Sequence, residues 1–193
     1  MGMHVIDEPT RTRFAIGPTP IGTFGVAWTD RGIVRTWLHS RTTDRTRTEI
    51  RAAYPRAVEA DPPGEIAAVL ADVARLLDGG RPDLRGAALD TSGVPDFHRR
   101  VYEVARAVDP GETITYGAVA RAMGEEPMQA REVGVALSQN PFAPIVPCHR
   151  VVAANGQLGG YSAPGGMSTK RRLLEIEGAA IVARPAQQVL FEG

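Results

Sequence analysis

Apolar residues recur with two different periods along this chain. Thr23-Phe24-Gly25-Val26-Ala27-Trp28 and Ile33-Val34-Arg35-Thr36-Trp37-Leu38 are rich in β-branched and aromatic side chains, and Thr29-Asp30-Arg31-Gly32 between them is a turn signal. A β-hairpin is predicted there, within β structure reaching from Arg13 to Leu38. Ile66, Val69, Leu70, Val73, Leu76 and Leu77 then fall at the spacing of an amphipathic helix, which Asp78-Gly79-Gly80-Arg81-Pro82 ends. Ala57 to Gly64, with Asp61-Pro62-Pro63-Gly64, reads as a loop.

From Thr91-Ser92-Gly93-Val94-Pro95 onward the pattern becomes one of short helices. Phe97, Val101, Val104, Ala105 and Val108 mark one face of the first, closed by Asp109-Pro110-Gly111. Thr115 is placed to N-cap a second helix running to Met123 before Gly124, and Gln129 to Gln139 forms a third, stopped by Asn140-Pro141. Two short helices around a tight turn match a helix-turn-helix, although most such pairs bind no DNA. On the third helix Val133, Ala136, Leu137 and Asn140 share a face assigned to the core, while Ala130, Gly134 and Ser138 form a stripe of tiny side chains four residues apart. A helical glycine costs about 1 kcal/mol, so something is expected to approach that backbone closely: a neighbouring helix, or a narrow DNA minor groove.

Composition narrows the class. The 193 residues are 43% hydrophobic and 23% charged, as in a globular protein with a real core. No apolar run approaches the roughly 18 residues of a membrane span, and the N-terminus carries no secretory pattern. One cysteine excludes an internal disulfide and a cysteine-based structural zinc site, and a reducing cytoplasm is the simplest setting. Net charge is zero, and nine basic side chains meet nine acidic ones between Gly93 and Gly178. Charge alone therefore does not point to nucleic acid.

The chemistry concentrates in Ile145-Val146-Pro147-Cys148-His149-Arg150-Val151-Val152. The cysteine stands between a proline-rich turn (Asn140-Pro141-Phe142-Ala143-Pro144) and a β-like run. A cysteine becomes a nucleophile when a base or positive dipoles stabilise its thiolate; otherwise it is a small buried hydrophobe. Neighbours on a strand face opposite ways, so His149 serves Cys148 only where the backbone turns.

Pro147-Cys148-His149-Arg150 in this setting resembles the active-site motif of the O6-alkylguanine-DNA alkyltransferases, the methylated-DNA–protein-cysteine methyltransferases. Phe97-His98-Arg99-Arg100-Val101-Tyr102, Gly111-Glu112-Thr113-Ile114-Thr115-Tyr116, Ala130-Arg131-Glu132-Val133-Gly134, Asn140-Pro141, Gly159-Gly160-Tyr161-Ser162 and Lys170 to Gly178 have family counterparts in the same order, covering Val94 to Gly178. The hairpin from Thr19 resembles the family's N-terminal domain more loosely. The resemblance implies an α+β fold: an RNase H-like sheet-and-helix domain over 1–90, a helical winged-helix domain carrying the cysteine over 91–180, and a loosely held tail over 181–193.

It also implies a mechanism. Cys148 would attack the alkyl carbon on guanine O6, His149 would take the thiol proton through a water, Glu177 would orient the histidine, and Asn140 would hold the turn. The damaged base must leave the duplex stack. Arg131 would fill its place, Tyr116 would crowd the backbone phosphate, Ala130 and Gly134 would admit the minor groove, and Tyr161, Ser162 and the backbone near Val151 would bind the everted guanine. A thioether is a poor leaving group, so the protein would be consumed in one event. The expected partner is alkylated double-stranded DNA, met by a monomer with no membrane, cofactor or metal.

Some residues depart from the family. Tyr102 stands where many relatives have tryptophan, Ala163-Pro164-Gly165-Gly166 is about two residues longer than in some, and Glu125-Glu126 puts acid beside the recognition helix. The N-terminal cysteines that ligate zinc in some members are absent. The main alternative is a damage-sensing module of the same fold, but such members lack the nucleophile that this chain has at 148.

Overall fold

The computed structural model describes residues 12–40, 42–160 and 165–180. Strands β1 (Arg13–Thr19), β2 (Gly22–Thr29) and β3 (Gly32–Ser40) form an antiparallel meander. Its second turn is the predicted one, where Gly32 has φ +127°, and a Cβ there would lie 2.7 Å from Ala88 O. Helix α1 (Thr43–Ala53) follows; Thr42 caps it by accepting from Arg45 N at 3.3 Å. The stretch expected to be a loop contains a short strand, β4 (Val58–Glu59), parallel to β1. The sheet order is β3-β2-β1-β4, leaving β3 on one edge.

Helix α2 (Gly64–Leu77) buries Ile66, Val69, Val73, Leu76 and Leu77, the face read from the sequence. Each such side chain contributes about 1.5–3 kcal/mol. The outer edge of β3 is covered by later chain. Near its start, Ile33 N donates to Ala88 O (2.9 Å) and Asp90 N to Ile33 O (2.8 Å); near its middle, Thr36 N donates to Pro141 O (2.8 Å). The unpaired groups of an edge strand are thus used to seat the C-terminal half.

That half is helical: α3 (Asp96–Arg106), α4 (Tyr116–Ala122), α5 (Ala130–Ser138) and α6 (Gly166–Ile176), with β5 (Ile114–Thr115) and β6 (Val151–Val152) paired in parallel. Thr115 caps α4 as expected, accepting from Ala118 N at 3.2 Å. A 3₁₀ turn, Pro127–Gln129, leads into α5. Val133, Ala136 and Leu137 are buried and Asn140 half-buried. Tyr102, fully packed between helices, donates its hydroxyl to Ala136 O at 2.9 Å, so α3 braces α5 through a polar contact. Burial pushes that hydroxyl up to about 12. One hydrophobic cluster runs from Ala15 and Phe24 in the sheet to Val133, Cys148 and Leu173.

Candidate active site around Cys148

Cys148, His149 and Arg150 form a single 3₁₀ turn between Pro147 and β6. The turn resolves the strand problem: Arg150 N donates back to Pro147 O at 2.9 Å, so successive side chains no longer alternate across a sheet. The approach is held by Asn140, whose Nδ2 donates to Val146 O (2.8 Å) while its Oδ1 accepts from Phe142 N (2.9 Å). Cys148 N in turn donates to Val146 O at 2.9 Å. Pairing of β5 with β6 brings Tyr116, at the start of α4, beside the end of the cysteine turn.

His149 is fully buried, and its Nε2 lies 2.8 Å from Glu177 Oε1. A carboxylate accepts only, so the proton of the neutral ring sits on Nε2 and Nδ1 is left as an acceptor. Nδ1 has no hydrogen-bond partner among the described residues. Burial lowers the imidazole's pKa, outweighing the opposing pull of Glu177. The ring is therefore a neutral base at physiological pH.

Glu177, also buried, accepts from Arg150 as well: Nη2 donates to Oε1 at 2.8 Å and Nε to Oε2 at 2.9 Å. Burial alone would raise this carboxyl. The hydrogen bonds from His149 and Arg150, with the charge of the guanidinium, prevail and hold it near 2. The buried group is thus a triad of histidine, carboxylate and arginine.

A cleft of about 490 Å³ opens beside Cys148, lined by Tyr116, Ala130, Arg131, Gly134, Ser138 and Gly160 among others. The stripe of tiny side chains faces this cleft. Tyr116 packs on Gly159, where φ is +65° and a Cβ would lie 2.9 Å from the tyrosine hydroxyl and Cε2. Glycine is required there by both conformation and space. Lys170, the only lysine in the chain, is fully buried beneath this wall; its Nζ donates to Val151 O at 2.6 Å and lies 3.5 Å from both Tyr116 Oη and Gly160 O. Burial, opposed by Cys148, brings it down to about 8. The sequence reading did not single out Lys170 for the site; its signal was its being the sole lysine among 22 basic residues. A larger cleft of about 630 Å³ lies beside α2 and the β2–β3 turn, remote from Cys148. Chemistry rather than size selects the site.

Of the residues expected to act, Cys148, Tyr116, Arg131, Ala130 and Gly134 therefore line one cleft, with His149, Glu177 and Asn140 behind or beside the cysteine and Val151 continuing from its turn. Tyr161 and Ser162 lie outside the described residues. Glu125 does not stand free beside the recognition helix: Arg100 of α3 binds its carboxylate at 2.9 Å.

Comparison with known proteins identifies the fold's lineage. A methylated-DNA–protein-cysteine methyltransferase of Methanothermobacter thermautotrophicus is 34% identical over 162 residues, 84% of this chain and 83% of that protein. The chain belongs to this family. Residues 96–179 match the family described as 6-O-methylguanine DNA methyltransferase, DNA binding domain. The structure resembles that of Mycobacterium tuberculosis OGT, solved in complex with DNA, with a TM-score of 0.66 and 30% identity over 86% of this chain and 92% of the other. A DNA base-flipping protein of Thermus thermophilus is 37% identical, over 84% of this chain and 97% of its own length. The family's α+β arrangement, an N-terminal sheet followed by a helical half carrying the cysteine, is the one observed.

Proposed function

We propose that this protein repairs alkylated DNA by taking the alkyl group of O6-alkylguanine onto Cys148, once per molecule. The observation that carries this reading is the pairing of the chain's sole cysteine, lining an open cleft, with a buried neutral histidine whose Nε2 is fixed by Glu177 and whose Nδ1 has no partner among the described residues. Through an intervening water, Nδ1 takes the thiol proton. The sulfur attacks the alkyl carbon in line, and the C–O6 bond breaks with its electrons going to the guanine. The guanine takes up one proton from solvent while the imidazolium returns its own to solvent, leaving normal guanine and a neutral histidine. Glu177 stabilises the imidazolium formed, as the carboxylate does in a catalytic triad. The thioether product has no leaving group to return.

Delivery of the base falls to the cleft walls. Ala130 and Gly134 let α5 approach the minor groove, the exposed Arg131 fills the gap left by the everted nucleotide, and Tyr116, held by Gly159 and Lys170, crowds the phosphate. The backbone at Val151, with Tyr161 and Ser162, receives the guanine. The protein works as a monomer without a cofactor. A second reading, damage recognition without transfer, is favoured by the likeness to the base-flipping protein.

Mass spectrometry after incubation with a duplex containing O6-methylguanine separates the two. One methyl gained on the peptide bearing Cys148, and none in the Cys148→Ser protein, is the expected result. Tight binding to the lesion with an unmodified cysteine would leave recognition alone.

A further inference from the structure

The cysteine turn is held from two sides, and only one of them belongs to the helical half. Asn140 ties the segment from within. From outside comes Thr36, in the middle of edge strand β3, a residue 8% exposed and more than a hundred positions away in sequence. Its N–H donates to Pro141 O at 2.8 Å, and its hydroxyl lies 2.6 Å from Ala143 O and 3.2 Å from Pro141 O. Both carbonyls belong to the few residues leading to Cys148, Ala143 O between the two anchor points of Asn140 and Pro141 O immediately before the first of them. A second cleft, about 550 Å³, runs along this junction and also reaches Cys148; Thr36, Trp37, Asn140, Pro141 and Ala143 are among its walls.

We propose that Thr36 is a positioning residue for Cys148: the outer edge of the N-terminal sheet works as a splint on the active-site turn, and the threonine hydroxyl is its fastening. The physical case is one of restraint. An edge strand offers unpaired backbone groups, and Pro141 and Pro144 leave the turn with fewer N–H groups of its own to stabilise it. Carbonyls at 141 and 143 must find donors elsewhere, and Thr36 supplies them. A turn free to shift would carry the sulfur off the line of attack, where misplacement by about 1 Å can cost a hundredfold in rate. This gives the sheet a part in catalysis without any contact to substrate. It rests on the reading of Cys148 as the nucleophile.

The test compares Thr36→Val, which keeps the shape and the N–H but removes the hydroxyl, with Thr36→Ser, which restores it. Three quantities are measured on each full-length protein: the saturating single-turnover rate of methyl transfer, the affinity for lesion-bearing duplex using Cys148→Ser versions, and the rate of Cys148 alkylation by iodoacetamide as a function of pH. Thr36→Val is expected to slow transfer about tenfold, to leave duplex affinity within about twofold, and to alter the iodoacetamide profile. Thr36→Ser should restore both rates. Thermal melts give the folded fraction by which each rate is corrected. A wild-type rate in Thr36→Val, equal losses in both variants, or a loss that vanishes on that correction would each overturn the splint. If wild-type protein transfers no methyl at all, the repair reading fails separately; the iodoacetamide comparison needs no DNA and still decides the role of Thr36.

Discussion

Glu177 is the residue at which stability and chemistry meet, and Glu177→Gln separates them. The carboxylate takes His149 Nε2–H and Arg150 Nη2–H on one oxygen, and Arg150 Nε–H on the other, which also lies 3.4 Å from Gly111 N. An amide has only one acceptor oxygen. Placed toward His149, it keeps the imidazole tautomer but sets its NH₂ against Arg150 Nε–H; reversed, it opposes Nη2–H and forces the histidine proton onto Nδ1. Either way a buried guanidinium, 6% exposed, loses its counter-charge. Breaking one side of a buried pair costs about 3–5 kcal/mol. Linkage gives a similar figure. A carboxyl brought from 4.5 to about 2 contributes about 3 kcal/mol. Because the folded value is the lower one, that contribution is complete above the unfolded value and drains away as the pH falls from 4.5 toward 2.

The kinetic loss follows from charge. Once His149 holds the thiol proton it is a buried cation, and the neutral amide of the variant would not balance it. Loss of effective base catalysis is worth roughly 10²–10⁴-fold. Urea unfolding at neutral pH and down through the acid range, with single-turnover transfer on the same preparations, gives both numbers. The variant should be about 3 kcal/mol less stable at neutral pH, should lack the wild type's acid-dependent loss, and should transfer at least about a hundredfold more slowly. A folded Glu177→Gln protein that transfers within about threefold of wild type would show that the histidine–carboxylate contact is structural only.

Two further outcomes test the remaining parts of the site. Arg131→Ala should slow repair of a duplex lesion far more than reaction with the free O6-alkylated base, since only the duplex has a gap to fill; equal slowing in the two assays would remove Arg131 from eversion. The saturating transfer rate should be level at neutral pH and above, and should fall on acidification as His149, its pKa depressed by burial, is finally protonated; a rate that rises as the pH drops below about 6.5 would mean that the neutral ring is not the base.

Local signals carried most of the helices. Helices α2, α3 and α5 each bury a stripe at helical spacing, α4 buries only Val119 and Ala120 but is marked by its cap and stop, and these signals are written in Thr115, Gly124 and Asn140-Pro141. Helix α1 escaped because its buried side is only Thr46 and Ile50, one turn apart on an otherwise polar segment. Strand β4 escaped because two exposed residues, Val58 and Glu59, are fixed by pairing with β1 rather than by any pattern of their own. At the site, the Cys-His pair was visible as a motif, and the roles proposed for Glu177, Arg131 and Tyr116 came through family resemblance. Arg150's fork on Glu177, Lys170 beneath Tyr116 and Thr36 on the cysteine turn were not visible, because each joins segments that only the folded chain brings together.

Zero net charge is reconciled with DNA by asking where the opposite charges sit. Much of the arginine complement is spent internally: Arg13 on Asp30, Arg31 on Asp90, Arg47 on Asp44 and Glu59, Arg85 on Asp83, and Arg150 on Glu177. Each such pair adds nothing to the net charge and little to the field beyond its own neighbourhood. Around α4 and α5 the arrangement differs. Arg100 cancels Glu125, and Glu126 and Glu132, although exposed, are not among the walls of the cysteine cleft. Among the described residues, Arg131 is the one charged side chain on those walls. A phosphate backbone responds to charge within about a Debye length, roughly 10 Å, so DNA seated over the cleft meets Arg131 and its near neighbours, Glu132 included, rather than the sum over the whole chain. The overall sum of charges is therefore the wrong quantity for judging this surface; the sign of the charge that lines the cysteine cleft is the right one.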